Sequence, residues 1–255
     1  VTVGELLAAL DATHPGARLH GDASASAVPL RSVTHDSRRV GPGTLFCCVV
    51  GEHADGHDFA AEAVAAGAVA LLVQRDPDPD GPLRSVPQIV VDDVRAAMAT
   101  AAVGVYRHPA ERLRTVGVTG TNGKTTVVSA VAHVLSAAGR RVEAIGTLTG
   151  ARTTPEAPDL QARLADLVSA GFTDVAMEVS SHALSLHRVD GVVFDVAVFT
   201  MFGQDHLDFH GTPEAYFAAK AQLFEAGRSR RGIVDVDDVH GRLLMDSAPP
   251  GHPMV

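Results

Sequence analysis

A glycine-rich segment in the second half of the chain has the residue types of a phosphate-binding loop. Residues 117–126 read GVTGTNGKTT and lie between a predicted strand and a predicted helix. Glycines let backbone N–H groups turn toward phosphate oxygens, and the lysine and hydroxyl that follow can reach terminal phosphates and Mg²⁺. The strict motif has glycine where this chain has Val118, so it fails by one residue. The context still predicts a nucleotide-phosphate site.

Three further side chains could do chemistry beside this loop. Glu178 ends a predicted buried strand next in order to the loop's strand, where a carboxylate can meet Mg²⁺ held by Thr125. His206 follows a strand between two aspartates, and its type and position fit a metal ligand and an ordinary loop histidine equally well. Lys220 lies in a predicted helix, and by residue type alone it is expected to be solvated.

The elements that must position these residues alternate between strands and helices. In the second half, the pattern predicts strands at 113–118, 141–145, 174–179, 192–199 and 232–236, and helices at 124–138, 159–170 and from Pro213 onward. This order predicts an α/β fold with a mostly parallel, doubly wound sheet around the phosphate loop. The chain ends at Val255 with the predicted sheet unfinished, so we expect this domain to be C-terminally incomplete.

The first half predicts a smaller α/β domain. Thr2 and Glu5 form a capping box ahead of a short helix, and the stretch that follows, to about Leu30, reads as turns. Apolar runs at 44–50, 68–73 and 88–91 predict strands, and helices are predicted at 59–66 and 93–106. Proline disfavours helix at the residue before it, so the boundary is placed at His108-Pro109. The predicted domains are 1–108 and 109–255.

Composition narrows the class of protein. The chain is 46% hydrophobic with a net charge of −9, which excludes general disorder and argues against binding nucleic acid or anionic membranes through overall charge. The sequence contains no apolar run of membrane-spanning length and no secretory signal. Cys47 and Cys48 are adjacent, a spacing unsuited to a disulfide. We therefore expect a cytoplasmic protein without nucleic-acid or membrane partners. We also expect a monomer.

Six short segments, taken in order and spacing, carry a family resemblance. They are 36–38 (DSR), 51–56 (GEHADG), 120–126 (GTNGKTT), 153–155 (TTP), 177–182 (MEVSSH) and 205–211 (DHLDFHG). Together they resemble the Mur ligases, which join an amino acid to a UDP-linked muramoyl peptide. The last three narrow the likeness to the ligases that add the third residue of the peptide. The resemblance covers nearly the whole chain and implies an N-terminal domain that binds the UDP-muramoyl substrate and a central ATP-binding domain.

The resemblance also implies a role for each matched residue. The ATP-binding residues would be Gly120, Thr121, Asn122, Gly123, Lys124, Thr125 and Thr126. The catalytic residues would be Lys124, Glu178, His206 and Lys220, and two Mg²⁺ would be held by Thr125, Glu178, His206 and Lys220. Lys220 would be carbamylated by CO₂, which converts a cation into a carboxylate. The substrate-binding residues would be Ser37, Glu52, His53, Ala54, Thr153, Thr154, Ser180 and Arg188.

The implied reaction is ATP-dependent addition of meso-diaminopimelate or L-lysine to UDP-N-acetylmuramoyl-L-alanyl-D-glutamate, through an acyl phosphate. The amino-acid-binding third domain of the family is not matched, so we expect this chain alone to be inactive and the choice of amino acid to stay open. Met201 stands where the family has asparagine. Two alternatives remain: a non-catalytic nucleotide-binding paralogue or fragment, and a related ligase that adds D-alanyl-D-alanine or acts on folate. The segments TTP and EVSSH speak against the related ligases.

Overall fold

A computed structural model describes residues 1–21, 24–78, 80–150 and 152–255. The chain forms two units. Unit 1 comprises Val1–His108 and Ala157–Ala162, and unit 2 comprises Pro109–Glu156 and Arg163–Val255. Within the described residues, no helix has both the length and the apolar character needed to cross a membrane.

Unit 1 is built on a five-stranded sheet. Its strands are β1 Arg18–His20, β2 Ser32–Thr34, β3 Thr44–Cys47, β4 Ala68–Val73 and β5 Gln88–Val90, and its helices are α1 Val3–Thr13, α2 Ala60–Ala65 and α3 Val94–Val105. The strand order is β1-β5-β4-β3-β2, with β1 antiparallel to β5 and the other pairs parallel. Short 3₁₀ helices include Ser37–Arg39 and Gly56–Phe59.

Both faces of the unit 1 sheet are buried. Along β3, Leu45 joins one hydrophobic cluster with residues of α1 and α3, while Phe46 joins the other with residues of α2. This alternation explains why β3 reads as a continuous apolar run. The predicted capping box is confirmed, because Glu5 N–H donates to Thr2 Oγ1 at 3.2 Å and Thr2 N–H donates to the Glu5 carboxylate at 2.8 Å.

Unit 2 contains a second five-stranded sheet. Its strands are β6 Arg114–Thr119, β7 Val142–Ile145, β8 Asp174–Glu178, β9 Val196–Phe199 and β10 Gly232–Val234. Its helices are α4 Lys124–Ala137, α5 Ala157–Ser169, α6 Ser181–Ser185, α7 Leu207–His210, α8 Pro213–Ala221 and α9 Val239–Asp246, of which α5 begins with the residues grouped in unit 1. The order is β10-β9-β6-β8-β7, and every pair is parallel.

The predicted α/β fold with a parallel sheet is confirmed. Because all strands of unit 2 run the same way, the loops after β6, β8 and β9 leave from one edge of the sheet. Strand β6 lies between β8 and β9, so the phosphate loop is flanked by the segments that follow those two strands. This topology brings the predicted chemical residues of unit 2 to the same edge.

Several predicted boundaries were wrong. The strand predicted at 192–199 begins only at Val196, because Val192 N–H closes a turn onto Val189 O and Phe194 pairs only through an isolated bridge. The strand predicted at 44–50 ends at Cys47. Strand β1 lies in the stretch predicted as turns, and β2 lies just after it, where no element was predicted; at three residues each they are too short to show a period. Helices α6, α7 and α9 were also not predicted.

Candidate functional site

The glycine-rich loop joins β6 to α4, as its sequence context predicts. Lys124 is the first residue of α4, and Gly123 precedes it in a left-handed conformation with φ of +86°. Gly123 offers no capping side chain, so the first N–H groups of α4 receive no acceptor from the cap residue. A helix start of this kind carries partial positive charge and suits an anion such as a phosphate.

Gly120 lies where the chain has no room for a side chain. Its φ is +141°, and a Cβ atom at this residue would lie 1.9 Å from Thr200 Oγ1. Thr200 is tied to the loop, since its N–H donates to Thr119 O at 3.0 Å and its hydroxyl donates to Asn122 O at 2.6 Å. The segment after β9 therefore holds the loop in shape, and glycine is required at residue 120.

Two lysine amines meet at the carbonyl oxygen of Gly120. Lys124 Nζ donates to it at 2.8 Å and Lys220 Nζ at 2.9 Å. Lys220 is only 1% exposed, and its amine lies 4.2 Å from the centre of the Tyr216 ring. Burial, followed by the positive charge of Lys124, lowers the pKa of Lys220 to about 7. Burial also lowers the pKa of Lys124.

The expectation from residue type that Lys220 is solvated was wrong. Tyr216, Ala219 and Lys220 are the buried residues of α8, and their spacing of three and four places them on one helix face. That face packs against the interior of unit 2, so Lys220 is buried with it. The amine finds a backbone acceptor there, which a buried cation needs.

Glu178 and Thr125 are brought together, as strand order predicts. The Glu178 side chain is buried, and Thr125 Oγ1 donates to its Oε2 at 3.0 Å. Its Oε1 accepts the backbone N–H of Thr147 at 2.9 Å. Gly146 packs against the carboxylate, because a Cβ atom there would lie 2.2 Å from Glu178 Oε1. Sequence reasoning missed Thr147 and Gly146, which follow β7.

His206 precedes α7 in a left-handed conformation with φ of +53°. Its ring centre lies 4.7 Å from that of His182 and 6.0 Å from that of Tyr216, the ring that Lys220 also contacts. Burial, then the charge of His206, lowers the pKa of His182. Among the described residues, no group of three or more His, Cys, Asp or Glu side chains is arranged to hold a metal. The set predicted to hold two Mg²⁺, Thr125, Glu178, His206 and Lys220, includes a threonine and a lysine, which lie outside those residue types. The set stays a prediction.

A hydrogen-bonded threonine links the loop to α8, and sequence reasoning assigned it only to ATP. Thr121 Oγ1 accepts from Gly203 N–H at 2.9 Å and from the Tyr216 hydroxyl at 3.3 Å. Thr121 N–H donates to Met201 O at 2.8 Å. A single tyrosine or glycine has no spacing signature, so the contacts of Tyr216 and Gly203 with Thr121 could not be predicted from the sequence.

The predicted substrate residues of unit 2 adjoin Glu178. Thr154 is buried; its hydroxyl donates to Glu178 O at 2.9 Å and accepts from Ser180 N–H at 3.1 Å. Ser180 caps α6 by accepting from Ala183 N–H. Arg188 pairs with Glu156 at 2.9 Å. One further contact joins the Thr153 and Thr147 hydroxyls at 3.0 Å.

The predicted substrate residues of unit 1 lie on two short segments. Ser37 begins the 3₁₀ helix Ser37–Arg39. Glu52, His53 and Ala54 are exposed at a tight turn closed by a hydrogen bond from Gly51 N–H to Ala54 O at 2.9 Å. Their roles in binding substrate stay predictions.

Two family models match this chain. The model described as "Mur ligase middle domain" matches residues 118–253, and that described as "Mur ligase family, catalytic domain" matches residues 29–106. The chain belongs to the Mur ligase family. The resemblance drawn from the short segments of the sequence is therefore confirmed, and the glycine-rich loop before α4 falls within the middle-domain match.

Individual relatives agree with the family models. A protein of Synechococcus elongatus is 43% identical over 96% of this Mur ligase chain and 52% of its own length, and one of Streptomyces coelicolor is 46% identical over 86% and 45%. Both are described as UDP-N-acetylmuramoyl-L-alanyl-D-glutamate–2,6-diaminopimelate ligase. A solved structure of a ligase of that description superimposes with a TM-score of 0.80 at 30% identity, over all of this chain and 52% of the other. The chain spans about half the length of these relatives.

Proposed function

We propose that this chain carries the ATP-binding and nucleotide-sugar-binding parts of a ligase of peptidoglycan synthesis. The ligase adds the third amino acid to UDP-N-acetylmuramoyl-L-alanyl-D-glutamate. The observation that supports this most is the contact of Thr125 with buried Glu178 behind a GTNGKTT loop. Diaminopimelate is favoured over lysine as the added amino acid, because both relatives are described as 2,6-diaminopimelate ligases. Unit 1 is proposed as the UDP-muramoyl-substrate domain and unit 2 as the ATP domain.

The proposed reaction has two steps. A carboxylate of the substrate attacks the γ-phosphorus of ATP in line, giving an acyl phosphate and ADP, and the incoming amine then displaces phosphate to form the amide. The chain's contribution to the first step is charge neutralisation and positioning. The first N–H groups of α4 bind phosphate oxygens, and Lys124 exchanges its contact with Gly120 O, at 2.8 Å, for the terminal phosphates.

The oxygen donors beside the loop fit a magnesium ion. Thr125 Oγ1 and Glu178 Oε2 lie 3.0 Å apart, and hydroxyl and carboxylate oxygens are ligands that Mg²⁺ prefers. These two residues are proposed to hold one Mg²⁺, and His206 with carbamylated Lys220 a second. When bound, the ions supply charge stabilisation for the phosphates.

The environment of Lys220 supports its carbamylation. A pKa of about 7 leaves a large neutral fraction at physiological pH, and only the neutral amine is nucleophilic. The nitrogen forms a bond to the carbon of CO₂ and loses one proton to solvent, which leaves a carbamate anion. The product replaces a buried cation beside Lys124 by an anion, so the repulsion between the two lysines is relieved.

Calorimetric titration of the chain tests the proposal directly. We expect wild-type protein to bind Mg·ATP and UDP-N-acetylmuramoyl-L-alanyl-D-glutamate. Lys124→Ala is expected to weaken only Mg·ATP binding. Arg188→Ala is expected to weaken only the nucleotide-sugar. Loss of a charge-assisted contact, roughly 1.5–3 kcal/mol, corresponds to about 10- to 150-fold in affinity.

Arg152→Ala is the matched control for Arg188→Ala. Both arginines pair with Glu156 at 2.9 Å, but the Arg152 side chain is 58% exposed and carries no predicted role. It should leave nucleotide-sugar affinity unchanged. Absence of nucleotide-sugar affinity in the wild type, or equal losses in the two arginine variants, would contradict the substrate assignment.

The alternative function is nucleotide binding without catalysis. The substitution that favours it is Met201, whose thioether replaces an amide of the family and is 37% exposed beside the loop. A protein that binds both ligands but forms no product when supplied with any natural downstream sequence would support this alternative.

A further inference from the structure

His57 is a buried histidine of unit 1 for which neither the sequence segments nor the reaction gives a role. It is 4% exposed and lies in the 3₁₀ helix Gly56–Phe59. Both of its ring nitrogens are engaged. Nε2 accepts the backbone N–H of Gln74, directly after β4, at 3.2 Å, and Nδ1 lies 2.6 Å from Asp55 Oδ1. Because Nε2 is an acceptor, the proton is on Nδ1 and is donated to Asp55.

Asp55 is held from three directions. Its Oδ1 accepts from the ring and from the backbone N–H of His57, at 2.6 and 2.9 Å, and its Oδ2 accepts from Arg75 at 2.8 Å. Gln74 and Arg75 both follow β4; Gln74 contacts His57 and Arg75 contacts Asp55. These contacts link Asp55 to the end of β4 in the sheet of unit 1.

Asp55 is also the last residue of the exposed turn. It bridges to Val50 across the turn, Gly51 N–H donates to Ala54 O at 2.9 Å, and Gly56 N–H donates to Val49 O at 2.9 Å. The returning chain lies close against the end of β3, because a Cβ atom at Gly56 would be 2.6 Å from Val49 N. The base of the turn is therefore hydrogen-bonded and closely packed, while its tip, residues 52–54, faces solvent.

We infer that His57 is a positioning residue for nucleotide-sugar binding. Through Asp55 it fixes the base of the turn that presents Glu52, His53 and Ala54 to the substrate. The imidazole spans the gap between Gln74 and Asp55 with one acceptor and one donor, which a hydrophobic side chain of the same size cannot do. The inference rests on the proposed function, because the substrate role of the turn belongs to it.

The test replaces His57 in the full chain and reads two quantities. His57→Phe keeps the volume and removes both hydrogen bonds, whereas His57→Asn keeps a donor at the place of Nδ1. We expect His57→Phe to weaken UDP-N-acetylmuramoyl-L-alanyl-D-glutamate binding at least tenfold in calorimetry and to leave Mg·ATP binding unchanged. Amide hydrogen exchange at Gly51 and Gly56 should accelerate by a similar factor. His57→Asn should retain affinity within about threefold of wild type.

Val94→Ala is the control for general loss of stability. It removes buried methyl groups at the start of α3 and none of the hydrogen bonds of the turn, so it should leave the affinity and the exchange of the turn unchanged. Equal effects of Val94→Ala and His57→Phe, or wild-type behaviour of His57→Phe, would overturn the inference. A wild-type chain without nucleotide-sugar affinity would instead reject the proposed function and the substrate role of His57 with it. In that case the exchange data alone would show whether His57 anchors the turn.

Discussion

The amine of Lys220 lies 2.9 Å from the carbonyl oxygen of Gly120, the same oxygen that Lys124 reaches from the start of α4. These are the only two lysines in the sequence of 255 residues. Both lysines of the chain therefore donate to one backbone oxygen of the glycine-rich loop, and Lys124 donates to Thr121 O as well, at 3.0 Å. The two amines repel each other when both are charged, so removing the positive charge of one stabilises the charged form of the other.

The first prediction concerns the protonation of Lys220. With lysine side chains labelled at Nζ, NMR should show two side-chain signals, one of which titrates near pH 7, far below the ordinary lysine pKa of about 10.4. Lys124→Met should raise the pKa of Lys220, because repulsion from the charge of Lys124, which adds to the effect of burial, is removed. A Lys220 amine that stays charged above pH 9 in the wild type would show that burial does not depress its pKa.

The second prediction concerns the modification itself. Protein equilibrated with ¹³C-bicarbonate near pH 8 should give a carbamate carbon signal, separate from that of any N-terminal carbamate, that disappears in Lys220→Gln and persists in Lys124→Met. The physical reason is that Lys220 has a large neutral fraction at that pH, whereas an ordinary lysine remains protonated. A carbamate signal that survives in Lys220→Gln would assign the modification to another amine, such as Lys124 or the N-terminus.

The third prediction uses two glycines of positive φ. Gly120→Ala places a methyl group 1.9 Å from Thr200 Oγ1, so the loop must separate from the segment after β9 and Mg·ATP binding should fall at least a hundredfold. Gly139→Ala has a φ of +79° and open space around its Cβ, and it should cost only about 1 kcal/mol of stability while leaving ATP affinity intact. Equal ATP affinities in the two variants, measured by calorimetry, would show that the close approach at Gly120 does not matter.

The fourth prediction concerns acid stability. Hydrogen bonding from the His57 backbone, together with the His57 ring and Arg75, lowers the pKa of Asp55 to about 2, against about 3.9 in an unfolded chain. The ionised carboxylate therefore stabilises the folded state above pH 4, and this contribution is lost as the pH falls through 2. Wild type should exceed Asp55→Asn in free energy of unfolding by a constant amount above pH 5. The difference should shrink between pH 4 and pH 2 in urea titrations followed by circular dichroism.

The contrary result for Asp55 is equally clear. A difference between wild type and Asp55→Asn that stays constant down to pH 2 would mean that the carboxylate titrates alike in both states. Asp58→Asn serves as a control for loss of a carboxylate in this segment, since Asp58 is exposed and takes no part in the hydrogen bonds of the Asp55 carboxylate. It should leave the free energy of unfolding at pH 7 close to that of the wild type.

Part of this site could be predicted from the sequence because it follows from local pattern and strand order. The loop is specified by glycines and a lysine at the junction of a strand and a helix, and the meeting of Glu178 with Thr125 follows once β8 is placed beside β6. The burial of Lys220 could not be predicted, because it depends on which face of α8 packs inward. The contacts of Thr147 and Gly146 with Glu178 could not be predicted for a related reason, because they depend on how the segment after β7 packs against the end of β8.

Because β6 lies between β8 and β9, the glycine-rich loop can reach its final conformation only after later segments of the chain have been synthesised. Arg114 pairs with Asp174 and Val116 with Val196, so β6 must wait for strands made about sixty and eighty residues later on the ribosome. Thr200, which closes on the loop, emerges later still. Long-range parallel pairing of this kind forms slowly. Until β8 and β9 pair with β6, its apolar residues are exposed and can make non-native contacts. A nascent chain halted before residue 200 would therefore carry the complete GTNGKTT sequence without the means to shape it.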